Sequence, residues 1–285
     1  MKLISFDIDG ALATGAIIDG QIAPFPKNLA DMTDVIRHAE DLTGLTNDSG
    51  RISLEDVTLR APIPNPMRNI ICVGKNYRDH AQEFSRSGFE AGAVANQEID
   101  AFPAVFTKLP TSVADPGATI SLHSNITECV DYEIELALVI GKAGCDIAPQ
   151  DAFSHIFGYT IVNDVTARDR QKNHKQWFLG KTLDGFCPMG PWLVTADEVD
   201  AENLDLESRV NGEVRQKANT RDLLFDIPTL LATISAGTTL VPGDIIATGT
   251  PAGVGIGFNP PRFLKTGDTV SMTITGLGEL HNMFA

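Results

Sequence analysis

The stretch that decides the fold reads Asp131-Tyr-Glu-Ile-Glu-Leu-Ala-Leu-Val-Ile-Gly141. Apart from Glu135, the run from residue 134 to residue 140 is entirely apolar, which predicts a buried β-strand. Glu133 and Glu135 are two residues apart, so on a strand their side chains point to the same face. Two carboxylates side by side on a buried strand repel each other and lose hydration. A divalent cation would remove both of these costs.

A third carboxylate, Asp164, ends a second apolar run, Gly158-Tyr-Thr-Ile-Val-Asn-Asp164. Glu133, Glu135 and Asp164 together predict an oxygen-only site for a hard cation, which would be Mg²⁺, Mn²⁺ or Ca²⁺. On spacing alone, a solvated edge strand whose glutamates face water explains the pattern equally well.

Composition narrows the class of protein. A length of 285 residues favours one large domain, or a large domain with a small one. The net charge of -15 argues against binding of nucleic acid or of anionic membrane surfaces. It leaves room for a small anionic substrate, because a metal and a few basic side chains reverse the sign locally.

Cysteine usage and hydropathy point to the cytoplasm. The four cysteines form no Cys-x-x-Cys pair, so we expect reduced thiols in a cytoplasmic protein. No secretory signal fits the start of the chain. No apolar stretch approaches the ~18 residues of a membrane span.

The first part of the chain predicts a small, β-rich N-terminal domain. Asp9-Gly10 and Asp19-Gly20 are hairpin signals, so residues 1–25 predict an antiparallel meander. The run Phe6-Asp7-Ile8-Asp9-Gly10 also resembles the start of haloacid-dehalogenase-type phosphatases, but the glycines that follow disfavour the helix such an enzyme needs. Ala30–Leu42 predicts a short helix. A proline-rich linker at residues 62–66 places the domain boundary between residues 1–67 and 68–285.

Several polar residues of the second part are candidates for chemistry. His80 and Glu83 are neighbours on a predicted helix, where a carboxylate beside an imidazole forms a general base. A satisfied histidine on an exposed helix face is the alternative. Asp164 and Arg168 are four residues apart and are expected to pair. The glycine-rich run from Gly249 to Gly255 offers backbone amides that could hold a carboxylate.

Five motifs in one order resemble the fumarylacetoacetate hydrolase family over residues 68–285. They are Cys72-Val-Gly-Lys-Asn-Tyr-Arg-Asp-His80-Ala-Gln-Glu83, Asp131-Tyr-Glu-Ile-Glu135-Leu, Asn163-Asp164-Val-Thr-Ala-Arg168-Asp-Arg-Gln171, Gly180-Lys181 and Thr248-Gly-Thr250-Pro-Ala-Gly253-Val-Gly255. The resemblance implies an α+β fold, a β-rich roll with peripheral helices, and a homodimer. It also implies Mg²⁺, Mn²⁺ or Ca²⁺ on Glu133, Glu135 and Asp164, and a small anionic oxo acid as substrate.

Under that resemblance the best-supported activity is hydrolysis of a C–C bond in a 2,4-dioxo acid. His80, oriented by Glu83, would activate water, and Lys181 and Gln171 would stabilise the oxyanion. Thr250 and Gly249 would hold the substrate carboxylate, with Arg168 orienting Asp164. The shared motifs leave open an oxaloacetate decarboxylase, and a lyase or isomerase of the ureidoglycolate or dienoate type. The segment of residues 84–101 predicts a mobile loop near the substrate.

Overall fold

The computed structural model describes residues 1–29, 31–38, 42–46, 50–89 and 100–285, and strands predominate in it. The strands are β1 Lys2–Ile8, β2 Ala11–Ile18, β3 Gln21–Pro24, β4 Ile52–Ser53, β5 Thr58–Arg60, β6 Ile70–Gly74, β7 Ala104–Lys108, β8 Val113–Ala114, β9 Thr119–Ile120, β10 Val130–Asp131, β11 Ile134–Ile140, β12 Ile156–Asn163, β13 Thr166–Ala167, β14 Cys187–Thr195, β15 Asp205–Val210, β16 Glu213–Asn219, β17 Ile245–Ala247, β18 Thr269–Ile274 and β19 Gly278–Phe284.

Helices are short and lie between the strands. The α-helices are α1 Met32–Arg37, α2 Arg78–Arg86, α3 Arg168–Asn173, α4 Phe178–Lys181 and α5 Ile227–Ser235. The 3-10 helices are Lys27–Leu29, Thr43–Leu45, Leu54–Asp56, Pro110–Ser112, Pro149–His155, Ala196–Glu198, Thr220–Asp222 and Gly255–Gly257. None of the helices in the described part of the chain is long and apolar enough to span a membrane.

The apolar strand that contains Glu135, β11, lies in the middle of a large mixed sheet. The sheet runs in the order β4-β3-β2-β1-β14-β12-β11-β17-β6-β7. β11 pairs antiparallel with β12 on one side and with β17 on the other, and all seven of its residues are buried. The solvated-edge interpretation of its glutamates is therefore wrong. The predicted strand is also interrupted, because β10 pairs with β13 and leaves Tyr132 and Glu133 between two strands.

A second sheet covers one face of the first. It runs β16-β15-β18-β19-β9, and the Asn211–Gly212 pair forms the turn between β15 and β16. Both turn residues have positive φ, as a type I′ hairpin requires. Apolar side chains of both sheets form one core, which includes Leu136 and Leu138 of β11 with Leu206 of β15 and Met272 of β18. The predicted α+β class, a β-rich roll with peripheral helices, is confirmed.

The N-terminal segment forms the expected meander. Asp9 and Gly10 join β1 to β2, and Asp19 and Gly20 join β2 to β3, all with positive φ. The carboxylate of Asp7 is paired with Arg60 at 2.7 Å, and Asp9 occupies the turn. Both aspartates therefore have structural roles in the meander. A second strand follows β1, and not the helix that a phosphatase of the haloacid-dehalogenase type needs.

The meander is joined to the rest of the chain through one sheet. β1 pairs antiparallel with β14, with Lys2 opposite Val194 and Leu3 opposite Leu193. A single apolar core also contains Leu3 together with Val139 of β11 and Leu193. The division into domains 1–67 and 68–285 remains a proposal, and the two segments share strand pairing and core.

Several local predictions can be compared directly. Only the Met32–Arg37 part of the predicted helix Ala30–Leu42 is α-helical, and residues 30 and 39–41 lie outside the described residues. In the predicted loop of residues 84–101, α2 continues to Arg86 and residues 90–99 lie outside the described ones. All four cysteines are free thiols, as expected, and Cys72 and Cys187 are buried.

Candidate active site and metal centre

Three carboxylates converge where β11 begins and β12 ends. Glu135 is in β11, Glu133 immediately precedes it, and Asp164 immediately follows β12. Because the strands are antiparallel, Ile134 lies opposite Asn163, and this register brings the three side chains together. One ligand atom from each of Glu133, Glu135 and Asp164 lies within 4.8 Å of the others, and all three residues are buried.

Backbone contacts fix this convergence. The N–H of Asp164 donates to the carbonyl of Glu133 at 2.8 Å, and the N–H of Glu133 donates to the Asn163 side chain at 3.0 Å. The interruption of the strand at Glu133 is therefore an ordered feature, which lets the glutamate turn toward Asp164.

Three buried cationic side chains surround the carboxylates, and they are Lys181, Lys108 and Arg168. Lys181 Nζ lies 2.7 Å from Glu133 Oε2 and 2.5 Å from Asp164 Oδ2. Lys108 Nζ lies 2.7 Å from Asp164 Oδ1 and also donates to the backbone carbonyls of Val165 and Lys181. Lys108 was not singled out from the sequence. The sequence shows only a lysine at the end of a largely apolar strand, and this pattern is common on protein surfaces.

Arg168 has different partners from those expected. Its Nε donates to Asp131 Oδ2 at 2.9 Å, its Nη2 lies 2.5 Å from Glu133 Oε1, and its Nη1 donates to Gln171 Oε1 at 3.2 Å. The predicted pairing of Arg168 with Asp164 is wrong. The reason is that Asp164 precedes the first turn of α3 and faces the two lysines, while the Arg168 guanidinium faces Asp131 and Glu133.

The pKa values of the two glutamates in the cluster are shifted in opposite directions. Burial raises the pKa of Glu133, but Arg168 and Lys181 outweigh burial and leave this pKa below its ordinary value. The pKa of Glu135 is raised well above its ordinary value by burial and by the charges of Asp164 and Glu133. Burial lowers the pKa of Lys181, but Asp164 and Glu133 outweigh it and raise this pKa, so the amine stays protonated.

The donor set fits a divalent cation. Three carboxylates supply oxygen ligands only, which is the preference of Mg²⁺, Mn²⁺ and Ca²⁺. Glu135 has no cation within ion-pair distance among the described residues, although its neighbours Glu133 and Asp164 have two each. Its carboxylate receives one backbone N–H, from Gly249 at 2.9 Å. A bound cation would supply the charge that this buried carboxylate lacks.

His80 and Glu83 form the predicted pair on α2. His80 Nδ1 lies 3.2 Å from Glu83 Oε2, and His80 is buried rather than on an exposed face. A carboxylate at Nδ1 favours the tautomer in which Nε2 is free to accept a proton. Glu83 is itself held by the N–H of Gly253, at 3.0 Å from Oε1 and 3.2 Å from Oε2.

The glycine-rich run binds protein carboxylates. Besides the Gly249 and Gly253 contacts, the N–H of Gly255 donates to Asp131 Oδ1 at 2.6 Å and that of Ile256 to Asp131 Oδ2 at 3.2 Å. The amide of Gly249 is thus engaged by Glu135, contrary to the expectation that it holds the substrate. Asp131, which sequence reasoning treated only as the start of the strand, links this run to Arg168.

A small cavity lies beside the cluster. Its volume is about 10 Å³, which is room for about one water molecule. Its lining residues are Val73, Gly74, Lys75, His80, Phe84, Glu133, Glu135, Arg168, Gln171, Trp177, Lys181 and Thr250. Trp177 makes edge-to-face contacts with Phe84 and Phe106, at 5.7 and 5.3 Å between ring centroids. Most of the residues predicted for the site therefore line one enclosed space, and aromatic rings close its apolar side.

Comparisons with known proteins agree with this geometry. Residues 69–285 match the family described as Fumarylacetoacetate (FAA) hydrolase C-terminal. Oxaloacetate tautomerase YisK of Bacillus subtilis (strain 168) is 54% identical over 231 residues, which cover 81% of this chain and 74% of that protein. A fumarylacetoacetate hydrolase from psychrophilic Exiguobacterium antarcticum is 42% identical with a TM-score of 0.87, over 100% of this chain and 99% of that one.

A second solved structure of a related protein contains ligands. Maleylpyruvate hydrolase from Sphingobium sp. SYK-6, in complex with manganese (II) ion and pyruvate, is 34% identical with a TM-score of 0.77, over 100% of this chain and 99% of that one. The match of residues 69–285 covers every residue of the carboxylate cluster and of the His80–Glu83 pair. This chain belongs to the fumarylacetoacetate hydrolase family.

Proposed function

We propose that this protein is a divalent-metal-dependent enzyme that moves a proton on a short 2-oxo acid, with keto–enol tautomerisation of oxaloacetate as its reaction. The observation that carries the proposal is the placement of His80, Glu133 and Glu135 around one small cavity, with Asp164 beside the two glutamates. The 54% identity to an oxaloacetate tautomerase supports the same choice.

Glu133, Glu135 and Asp164 would hold a divalent ion, which would supply Lewis acidity toward the 2-oxo acid. His80, with Nδ1 occupied by Glu83, uses Nε2 to take the proton from the carbon next to the ketone and delivers it to the ketone oxygen, which gives the enol. The same two transfers in reverse restore the ketone. Lys181, whose raised pKa keeps it cationic, stabilises negative charge that develops on the ketone oxygen.

Gln171 stabilises the same negative charge on the ketone oxygen. Arg168 donates to its Oε1, which fixes the side-chain amide and leaves the Nε2 hydrogens as donors in the cavity lining. The enclosing aromatic side chains exclude water, which strengthens these electrostatic contacts.

Hydrolysis of a C–C bond in an acylpyruvate-like 2,4-dioxo acid is the second candidate. The His80–Glu83 pair favours it, because the same base can take a proton from water that attacks the distal carbonyl. The similarity to two hydrolases supports it as well. Decarboxylation of oxaloacetate on this site is a third outcome that the same assays detect.

One set of assays separates these activities. With Mn²⁺ added, a tautomerase accelerates the decay of the oxaloacetate enol absorbance without releasing pyruvate. A decarboxylase releases pyruvate from oxaloacetate, and a hydrolase releases it from acetopyruvate or fumarylpyruvate. The tautomerase proposal is overturned if enol decay runs at the uncatalysed rate while either pyruvate assay gives turnover.

We also infer a homodimer. β7 is the last strand in the order of the large sheet, and its neighbourhood exposes Phe102 and Val105, which are 78% and 48% accessible. An edge strand with exposed apolar side chains is a surface that proteins normally cover. Light scattering after size exclusion should give twice the chain mass, and Val105→Lys should shift it toward the monomer.

A further inference from the structure

Gln216 of β16 lies behind the cavity and uses every hydrogen-bonding position of its side chain. It is fully buried. Its Oε1 accepts from the N–H of Ile134 at 3.1 Å and from Ser208 Oγ at 3.0 Å. Its Nε2 donates to the carbonyl of Pro251 at 2.8 Å and to Thr250 Oγ1 at 2.7 Å.

These partners determine which end of the amide faces Thr250. A backbone N–H only donates, so the atom facing Ile134 is the oxygen. A backbone carbonyl only accepts, so the atom facing Pro251 is the nitrogen. The contact with Thr250 is therefore a donation from Gln216, and the threonine oxygen accepts.

A hydroxyl that accepts in this way still has its own proton to donate. Within the described ranges, no protein acceptor is within hydrogen-bonding distance of Thr250 Oγ1. Thr250 is buried and lines the cavity. The acceptor that the hydroxyl lacks in the protein is the group that an oxo acid presents, a carboxylate.

Resting on the proposed function, we propose that Gln216 is a positioning residue that makes Thr250 a donor to the carboxylate of the 2-oxo acid. Gln216 does not touch the cavity itself. It acts by filling one of the two acceptor positions of the Thr250 hydroxyl, which orients the hydroxyl so that its proton is available to an acceptor of the ligand. The site thereby favours a ligand that presents an acceptor oxygen at this point, as a carboxylate does.

Oxalate binding to the Mn²⁺-loaded protein tests this through a double-mutant cycle, measured by calorimetry. Thr250→Val removes the donor and should raise the oxalate Kd roughly 10-fold. Gln216→Glu replaces the donating amide by an acceptor that captures the threonine proton, and should raise Kd by a similar factor. The double variant should bind no more weakly than Thr250→Val alone.

Controls keep the cycle interpretable. Thr250→Ser retains the hydroxyl and should stay close to the wild-type Kd, and Ser208→Ala removes the other side-chain partner of Gln216 and should do the same. Mn²⁺ affinity should be unchanged throughout. If Gln216→Glu does not fold, Gln216→Met takes its place in the cycle. It should lower the affinity for oxalate by a smaller factor, and this loss should again disappear in the Thr250→Val background.

Two results overturn the inference. One is unchanged oxalate binding by Thr250→Val. The other is a double variant whose loss is the product of the two single losses, since Gln216 would then act by another route. The proposed function is judged separately from turnover of oxo acids by the wild type, so it stands or falls independently of this cycle.

Discussion

The carboxylate of Glu83 occupies the space where Gly257 would carry a side chain. A Cβ at Gly257 would overlap Glu83 Oε1 and the carboxylate carbon. Gly257→Ala should therefore move Glu83 away from His80 and from the N–H of Gly253. We expect kcat to fall roughly 10²-fold, because small displacements of a catalytic pair have effects of this size.

The matched control for this change is Gly50→Ala, whose Cβ would meet no atom within 4 Å. Steady-state rates and Mn²⁺ titrations of both variants provide the comparison. A normal rate in Gly257→Ala, with the protein folded, would show that the position of Glu83 does not matter for turnover.

Removing the proposed base should separate the candidate reactions. His80→Gln should lower proton transfer or hydrolysis by roughly 10²–10⁴ and leave Mn²⁺ binding intact, since His80 is not among the carboxylate ligands. Glu83→Gln should have a smaller effect and add nothing in the His80→Gln background, because Glu83 acts through the imidazole. Initial rates at saturating Mn²⁺ give the three values. Retained release of pyruvate from oxaloacetate by His80→Gln would identify a decarboxylase.

Glu135→Gln should change both metal binding and the pH dependence of stability. Loss of a direct ligand should weaken Mn²⁺ binding by more than the roughly 10–100-fold typical of a lost outer partner. In the metal-free protein, the pKa of Glu135 is raised by burial and by its carboxylate neighbours. Below the pKa of about 4.3 that Glu135 has in the unfolded chain, the side chain is neutral in both states and does not destabilise the fold. As the pH rises from there through the higher pKa of the folded state, the free energy of unfolding falls.

The variant lacks this titration, so the stability difference in favour of Glu135→Gln should grow with pH over that range. Urea unfolding in the presence of EDTA at a series of pH values measures it. Glu279→Gln, at an exposed position of β19, is the control. Parallel pH profiles for wild type and Glu135→Gln would contradict the electrostatic argument.

Arg168→Lys should destabilise the protein although the charge is kept. The guanidinium uses three different nitrogens for Asp131, Glu133 and Gln171, and a single ammonium cannot reach all three. We expect the free energy of unfolding to fall by about 3 kcal/mol, the size of effect seen when a buried ion pair is broken.

An exposed arginine provides the comparison. Arg209→Lys alters a surface pair with Glu207 and should cost less than about 1 kcal/mol. Denaturant unfolding of both variants measures the difference. Equal effects would mean that the geometry of the Arg168 fork contributes little to stability.

The parts of the site that could be predicted from the sequence are those set by local pattern. Alternation places Glu133 beside Glu135 at the start of a strand, and helical spacing places His80 beside Glu83. Both follow from the period of one element, and both pairs are found in the structure. Asp164 joined them as a third carboxylate at the end of another apolar run, and the resemblance in motifs strengthened that prediction.

The parts that could not be predicted depend on partners far apart in the chain. Lys108 reaches Asp164 only because β7 and the end of β12 meet in the folded protein. The glycine run gave a correct signal of close backbone approach, but the sequence did not show that its amides face Glu83, Glu135 and Asp131. The four-residue spacing also predicted an ion pair between Asp164 and Arg168. In the folded protein, Arg168 instead pairs with Asp131 and Glu133.

The charges of the buried cluster have a consequence for the order in which ligands bind. With every group ionised, the four carboxylates of Asp131, Glu133, Glu135 and Asp164 outnumber the cations Lys108, Arg168 and Lys181 by one. An anionic oxo acid meets net repulsion there, and a divalent ion reverses the sign. Metal should thus bind first and substrate second, and each should tighten the binding of the other by the same factor.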